Sequence, residues 1–265
     1  MSQTVLRVGE LHKSFGGVSA VSDVGFEARQ GQVVAVIGPN GAGKTTLFNV
    51  ISGVFAPDSG RVWLNGRRLD GLPVHEVAGM GVSRTFQNMQ LFGSMTVLEN
   101  VQMGRYRHER TGFLAAALGL TRREEMRSCS AAMQHLERVG LTRMADRPAG
   151  SLALGEQRLL EIARALSAEP CLLLLDEPTA GLNAVEKVRL GATISRIRAN
   201  NVTILLVEHD MNTVASVADW VVVLDYGKKL AEGLPEEIRN SPRVIDAYLG
   251  RAPRKGLHCG VPGAG

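Results

Sequence analysis

Nine consecutive residues carry the strongest chemical signal in this chain: Gly38-Pro39-Asn40-Gly41-Ala42-Gly43-Lys44-Thr45-Thr46. They satisfy the spacing GxxxxGK[ST]. Glycines let a backbone wrap closely around phosphate oxygens, at φ values other residues reach only at a cost. Successive N–H groups, with the positive end of a following helix, make an anion site. Lys44 is expected to reach the β- and γ-phosphates of a nucleotide, and the Thr45 hydroxyl to be a Mg²⁺ ligand. A second signal is Cys171-Leu-Leu-Leu-Leu-Asp176-Glu177-Pro178, an apolar run ending in two carboxylates. Alone, such a pair is more often a strand-end turn. Beside a phosphate loop it reads as the other half of one site, with Asp176 holding the Mg²⁺ shell and Glu177 orienting or deprotonating the attacking water. A third run, Thr203-Ile-Leu-Leu-Val207, ends in Glu208-His209-Asp210. His209 is expected to enter the same crevice and hydrogen-bond the γ-phosphate. His12, His75, His108, His135 and His258 read as ordinary surface or satisfied residues.

These groups meet only if regular elements bring them together. The apolar run at 32–37 suits a buried strand feeding the loop, and Leu47-Phe48-Asn49-Val50-Ile51 has helical spacing after it. Short strands and turns are expected over 5–36, with a further strand at 60–66. From about 88 to 166 the chain is rich in Arg, Glu, Leu and Met and poor in β-branched residues, which predicts a helical block. Strand candidates return at 172–175, Thr203–Val207 and 220–224, with a helix at Ala184–Ala199. This alternation implies a parallel sheet with helices packed on it, and a helical block between its two halves. Residues 251–265 are expected to be disordered.

The 265 residues include 45% apolar and 21% charged, enough for a core. No apolar run approaches the ~18 residues of a membrane helix. Met1 to Glu10 lacks a charged start and apolar centre, so no secretory signal is expected. Cys129, Cys171 and Cys259 are odd in number and far apart, arguing against a disulfide framework or zinc site and for a cytosolic protein. The net charge of +4 is concentrated at 101–150, where nine Arg face five acids. Interleaving with acids, and few aromatics, fit a solvated helix surface better than a nucleic-acid face.

The order of the motifs then resembles the ATP-binding-cassette ATPases. It comprises the phosphate loop, Arg84-Thr85-Phe86-Gln87, Leu152-Ala153-Leu154-Gly155-Glu156-Gln157-Arg158, Asp176-Glu177-Pro178-Thr179-Ala180-Gly181-Leu182-Asn183, and His209. The likeness covers about 5–250. Arg84-Thr-Phe-Gln-Asn, Met95-Thr-Val-Leu-Glu-Asn, Ala180-Gly-Leu-Asn, Val207-Glu-His-Asp-Met211 and Ala247-Tyr-Leu-Gly narrow it to the larger cassette of branched-chain amino acid importers. The resemblance implies an α/β P-loop NTPase fold with a RecA-like parallel core and an N-terminal antiparallel β subdomain, spanning about 1–87 and 166–250. A helical subdomain would be inserted at about 88–165. It implies that Phe15 stacks on adenine and that Gln87 couples γ-phosphate, Mg²⁺ and water to a membrane partner. Leu152, Ala153, Gly155 and Glu156 would form the signature facing ATP held by an opposite cassette. Ala153 stands where most cassettes have Ser, and Glu156 where Gln is usual. The implied partners are two transmembrane permease subunits, a second and non-identical cassette, and indirectly an extracytoplasmic solute-binding protein, with no nucleic acid. The implied place is the cytoplasmic face of the plasma membrane. Importers of urea or amides, a lipopolysaccharide exporter cassette, and a soluble non-transport cassette are the alternatives.

Overall fold

The computed structural model describes residues 3–85, 90–105 and 121–249; Phe86 to Met89, His108, Cys259 and the tail at 251–265 lie outside them. The first layer is an antiparallel sheet of β1 (Thr4–Phe15), β2 (Val18–Arg29), β4 (Ser59–Leu64) and β5 (Arg67–Arg68), ordered β2-β1-β4-β5. β1 and β2 run for 12 residues each, longer than the short strands expected. Bulges in their pairing let them continue through register shifts. Leu6, Val8 and Leu11 on one strand, and Val24, Phe26 and Ala28 on the other, turn into the core.

The second sheet has six strands in the order β10-β9-β3-β8-β7-β6. They are β3 (Val33–Ile37), β6 (Val82–Arg84), β7 (Leu172–Asp176), β8 (Thr203–Val207), β9 (Trp220–Asp225) and β10 (Lys228–Gly233). All pairings are parallel except that of β10, which lies antiparallel on β9. The sheet is therefore mixed rather than wholly parallel; the tight turn at Tyr226-Gly227 leaves no room for a crossover. β3, β7 and β8 are buried at every residue, as expected of central strands covered on both faces.

Alternation divides those strands between two cores. Val34, Val36, Leu172, Leu174, Leu205 and Val207 face the antiparallel layer and α1 (Lys44–Ile51). Val33, Leu173, Leu175, Ile204 and Leu206 face the opposite side. After α2 (Val74–Gly79), the described elements between β6 and β7 are helical: α3 (Val97–Gly104), α4 (Thr121–Val139) and α5 (Leu154–Leu166), with two short 3₁₀ turns. Leu136, Leu160 and Ile162 pack this block into the second core, together with Leu190 and Ile194 of α6 (Ala184–Ala199). α7 (Met211–Val217), α8 (Pro235–Arg239) and α9 (Pro242–Leu249) complete the chain. The sequence reading did not single out α2, α7, α8, α9 or β10, all eight residues or fewer.

Candidate active site

Parallel register brings three chain segments to one edge. Val36 pairs with Val207, and Val207 with Asp176, so Gly38, Glu177 and Glu208-His209 all leave the sheet at its carboxyl end. The Glu177 N–H donates to the Val207 carbonyl at 3.0 Å. Glu177 itself sits at φ 47, a left-handed conformation uncommon for a residue with a side chain.

The loop after β3 is closely enclosed. A Cβ on Gly38 (φ +151) would fall 2.1 Å from the Leu224 carbonyl oxygen, and one on Gly43 (φ +99) 2.2 Å from that of Ala20. Only glycine fits either place. Lys44 is buried and donates from Nζ to the carbonyls of Gly38 at 2.7 Å and Pro39 at 2.9 Å. Burial pushes its pKa down, while the charges of Glu177 and Asp176 pull it up. Thr45 is exposed in the first turn of α1, Thr46 is half-buried, Asn40 and Gly41 are exposed, and Ala42 is buried.

Asp176 is 3% exposed. Its Oδ2 accepts from Arg84 Nη2 at 2.8 Å. Arg84 Nη1 also donates to Asn49 Oδ1 at 2.7 Å and Ser52 Oγ at 3.0 Å, and its guanidinium lies 5.7 Å from the centre of the Phe48 ring. Arg84 thus joins the acidic strand to the helix that follows the phosphate loop. Sequence reasoning gave it no role; a cation closing one strand beside an acid closing another was the available signal. The Thr45 hydroxyl and the Asp176 carboxylate are hard oxygen donors that suit Mg²⁺.

The stretch expected as the signature, Leu152 to Arg158, opens α5. Ala153 occupies the N-cap without a side-chain acceptor, and Glu156 Oε2 accepts the Ala153 N–H at 3.1 Å. Glu156 therefore turns back onto its own helix. Gly155 rests against α6, where a Cβ would fall 2.7 Å from Glu186 Oε1. Glu186 and Asn183 cap α6 reciprocally, at 2.9 and 3.0 Å. Leu152 is buried and Ala153 exposed. Phe15 closes β1 and is 42% exposed, with its ring edge-on to Phe55 at 5.1 Å between centroids. His209 is exposed beside the fully buried Glu208. Gln87 lies outside the described residues. Just beyond it, the Gln90 N–H donates to Glu161 Oε1 at 3.2 Å on α5.

A groove of about 400 Å³ opens between α2 and β6 on one side and the helical block on the other, lined in part by Val54, Val74, Val77, Phe92 and Met103. Val54, Val74, Phe92 and Met103 are among the exposed large apolar side chains. No helix among the described residues is long and apolar enough to cross a membrane.

Residues 21–180 match the ABC transporter family, and 228–253 match the family described as branched-chain amino acid ATP-binding cassette transporter. The chain is 48% identical over 255 residues to BraF of Pseudomonas aeruginosa, a high-affinity branched-chain amino acid transport ATP-binding protein, covering 95% of this chain and 100% of that one. LivG of Escherichia coli, described in the same words, is 46% identical over the same coverage. The crystal structure of an ATP-binding cassette of an ABC transporter in its ADP conformation superimposes with a TM-score of 0.83 at 32% identity. That match covers 94% of this chain and 100% of the other.

Proposed function

The chain belongs to the ABC transporter family, and from that premise we propose that it is the ATP-hydrolysing subunit of a branched-chain amino acid importer. The arrival of Gly38, Asp176-Glu177 and His209 at one sheet edge carries the enzymatic reading. The match of 228–253 supports the solute class.

The loop amides and the start of α1 bind the phosphates of ATP. Lys44 exchanges the carbonyls of Gly38 and Pro39 for phosphate oxygens; already largely stripped of water, it loses little hydration in doing so. Thr45 and Asp176 hold Mg²⁺, which when bound neutralises phosphate charge. Glu177 aligns the attacking water and accepts its proton. His209 donates to the γ-phosphate, and Phe15 stacks on adenine. Leu152 to Glu156 present a helix start to ATP on a second cassette, while Gly155, expected to admit that nucleotide, instead lets this turn lie against Glu186 of α6. Gln87 relays the state of the γ-phosphate toward the permease.

A short cytoplasmic helix of the permease docks in the groove between Val54, Val74, Phe92 and Met103. A rimmed apolar groove of this kind suits an amphipathic helix, and Gln90 at its edge is tied to α5 through Glu161. The subunit then works at the cytoplasmic face of the membrane. Leucine uptake in a P. aeruginosa strain lacking BraF tests the whole reading. Restored uptake is expected from this chain; no uptake with the chain expressed and assembled would overturn the branched-chain importer reading.

A further inference from the structure

Glu208 is 0% exposed at the first position beyond β8. A carboxylate withdrawn from water is costly unless donors surround it. Here the donors come from two segments. Glu208 Oε1 accepts the Thr179 N–H at 3.0 Å and the Thr179 hydroxyl at 2.6 Å. Oε2 accepts the His209 backbone N–H at 3.2 Å. One donor residue follows Glu177, assigned to the attacking water, by two positions, and the other is His209 itself, assigned to the γ-phosphate. Thr179 lies two positions after Glu177, in a turn closed by Ala180 N–H to the Glu177 carbonyl at 3.1 Å and Leu182 N–H to that of Thr179 at 3.1 Å. Asp210, beyond His209, is fixed in turn: Oδ2 accepts from Lys187 of α6 at 2.7 Å, and Oδ1 accepts the Asn212 N–H at 3.0 Å.

We propose that Glu208 is a positioning residue for hydrolysis. By holding Thr179 with one oxygen and the His209 amide with the other, it sets Glu177 and His209 relative to each other and to the γ-phosphate. The left-handed φ of Glu177 gives this grip something to do, since such a conformation persists only where surrounding structure over-determines it. The proposal rests on the assignment of Glu177 to the attacking water and of His209 to the γ-phosphate, and it requires no contact between Glu208 and nucleotide.

Glu208→Gln separates the two grips. The amide oxygen can still accept from Thr179, but the NH₂ group then confronts the His209 N–H, donor against donor. Thr179→Val removes the hydroxyl and keeps the shape, whereas Thr179→Ser keeps the hydroxyl. ATP affinity, kcat and KM are measured on the full chain, with Glu177→Gln as reference. Glu208→Gln should lower kcat by about 10²-fold, the loss a displacement of roughly 1 Å brings. KM for ATP should stay within about twofold. Thr179→Val should lower kcat by about tenfold through loss of a bond to a charged group, and Thr179→Ser should restore it. The double variant Glu208→Gln/Thr179→Val should lose less than the two losses combined, because both act on one link. If Glu177→Gln abolishes turnover while Glu208→Gln and Thr179→Val remain within about twofold of the parent, the positioning role is overturned and the catalytic reading stands. If Glu177→Gln keeps parent turnover, the catalytic reading itself falls. Should Glu208→Gln fail to fold, equal kcat for Thr179→Val and Thr179→Ser overturns the proposal by itself.

Discussion

The two helix starts assigned to nucleotide, at α1 and at α5, are held in different ways. The α1 start is enclosed: carbonyls of Ala20 and Leu224 leave no room for a Cβ at Gly43 or Gly38. Lys44 is held by two carbonyls, and a buried Arg84–Asp176 pair stands beside it. The α5 start has an exposed Ala153 and Leu154, and its N-cap amide is satisfied by Glu156 from its own first turn. One region is preorganised by strand register within a single chain. The other is an exposed surface, which under the proposed function gains its role when a second cassette packs on it. Electrostatic preorganisation favours the first arrangement for chemistry, and an exposed helix start suits a contact that must form and break.

That contrast makes the first region the place of largest loss. Glu177→Gln should lower hydrolysis by about 10²–10⁴-fold while nucleotide affinity survives. Paired single-turnover and equilibrium-binding measurements decide it, and near-parent turnover would transfer the base role elsewhere. Lys44→Ala removes a charge-assisted bond of about 1.5–3 kcal/mol and should weaken ATP binding by about 10–10²-fold. Titration with a fluorescent nucleotide checks this; unchanged affinity would mean that Lys44 stays on its own loop carbonyls.

Gly155→Ala probes the other region. Its Cβ would meet Glu186 Oε1 at 2.7 Å and displace the cap on α6, costing about 1 kcal/mol of stability. ATP affinity of the isolated chain should hold, whereas hydrolysis in the assembled cassette pair should fall by about tenfold. Equal loss in both assays would erase the distinction between a complete and an incomplete half.

The smallest effect concerns the helical block. His135 on α4 is buried, its Nδ1 has no hydrogen-bond partner among the described residues, and burial first, then Arg138 and Arg105, lower its pKa from 6.5 to about 4. Between those values the unfolded chain takes up a proton that the folded chain refuses. Stability from this site is therefore intact above pH 6.5 and lost as pH falls toward about 4. His135→Leu should flatten that acid limb in thermal midpoints recorded from neutral to acidic pH. Parallel curves for parent and variant would place the acid sensitivity elsewhere.

The phosphate-loop pattern and the Asp176-Glu177 pair could be read from the sequence because each lies in contiguous residues, and the apolar run at Leu172–Asp176 is the buried strand it suggested. The linking residues were not. Arg84 and Glu208 stood within recognised motifs, but nothing in their neighbours gives their partners, which lie 92 and 29 positions away. Ala20 and Leu224 take part through carbonyl oxygens, which any residue could supply. The expected role of Glu156 beside a partner's nucleotide met a local alternative: a glutamate at the third position of a helix can reach back to its N-cap amide.

Sequence by itself carried the phosphate-loop pattern, the paired carboxylates after an apolar run, and the strand–loop–helix order around that loop. Those depend on residue type and short-range periodicity, which the chain states locally. Tertiary structure alone decided which strands are neighbours, the antiparallel return of β10, and the register that sets Val36, Val207 and Asp176 side by side. It also decided that Asp176 meets Arg84 and that Glu208 joins Thr179 to His209. Such pairings follow from how layers bury their faces and satisfy buried charges. Those requirements act between segments remote in sequence, so no single segment records them.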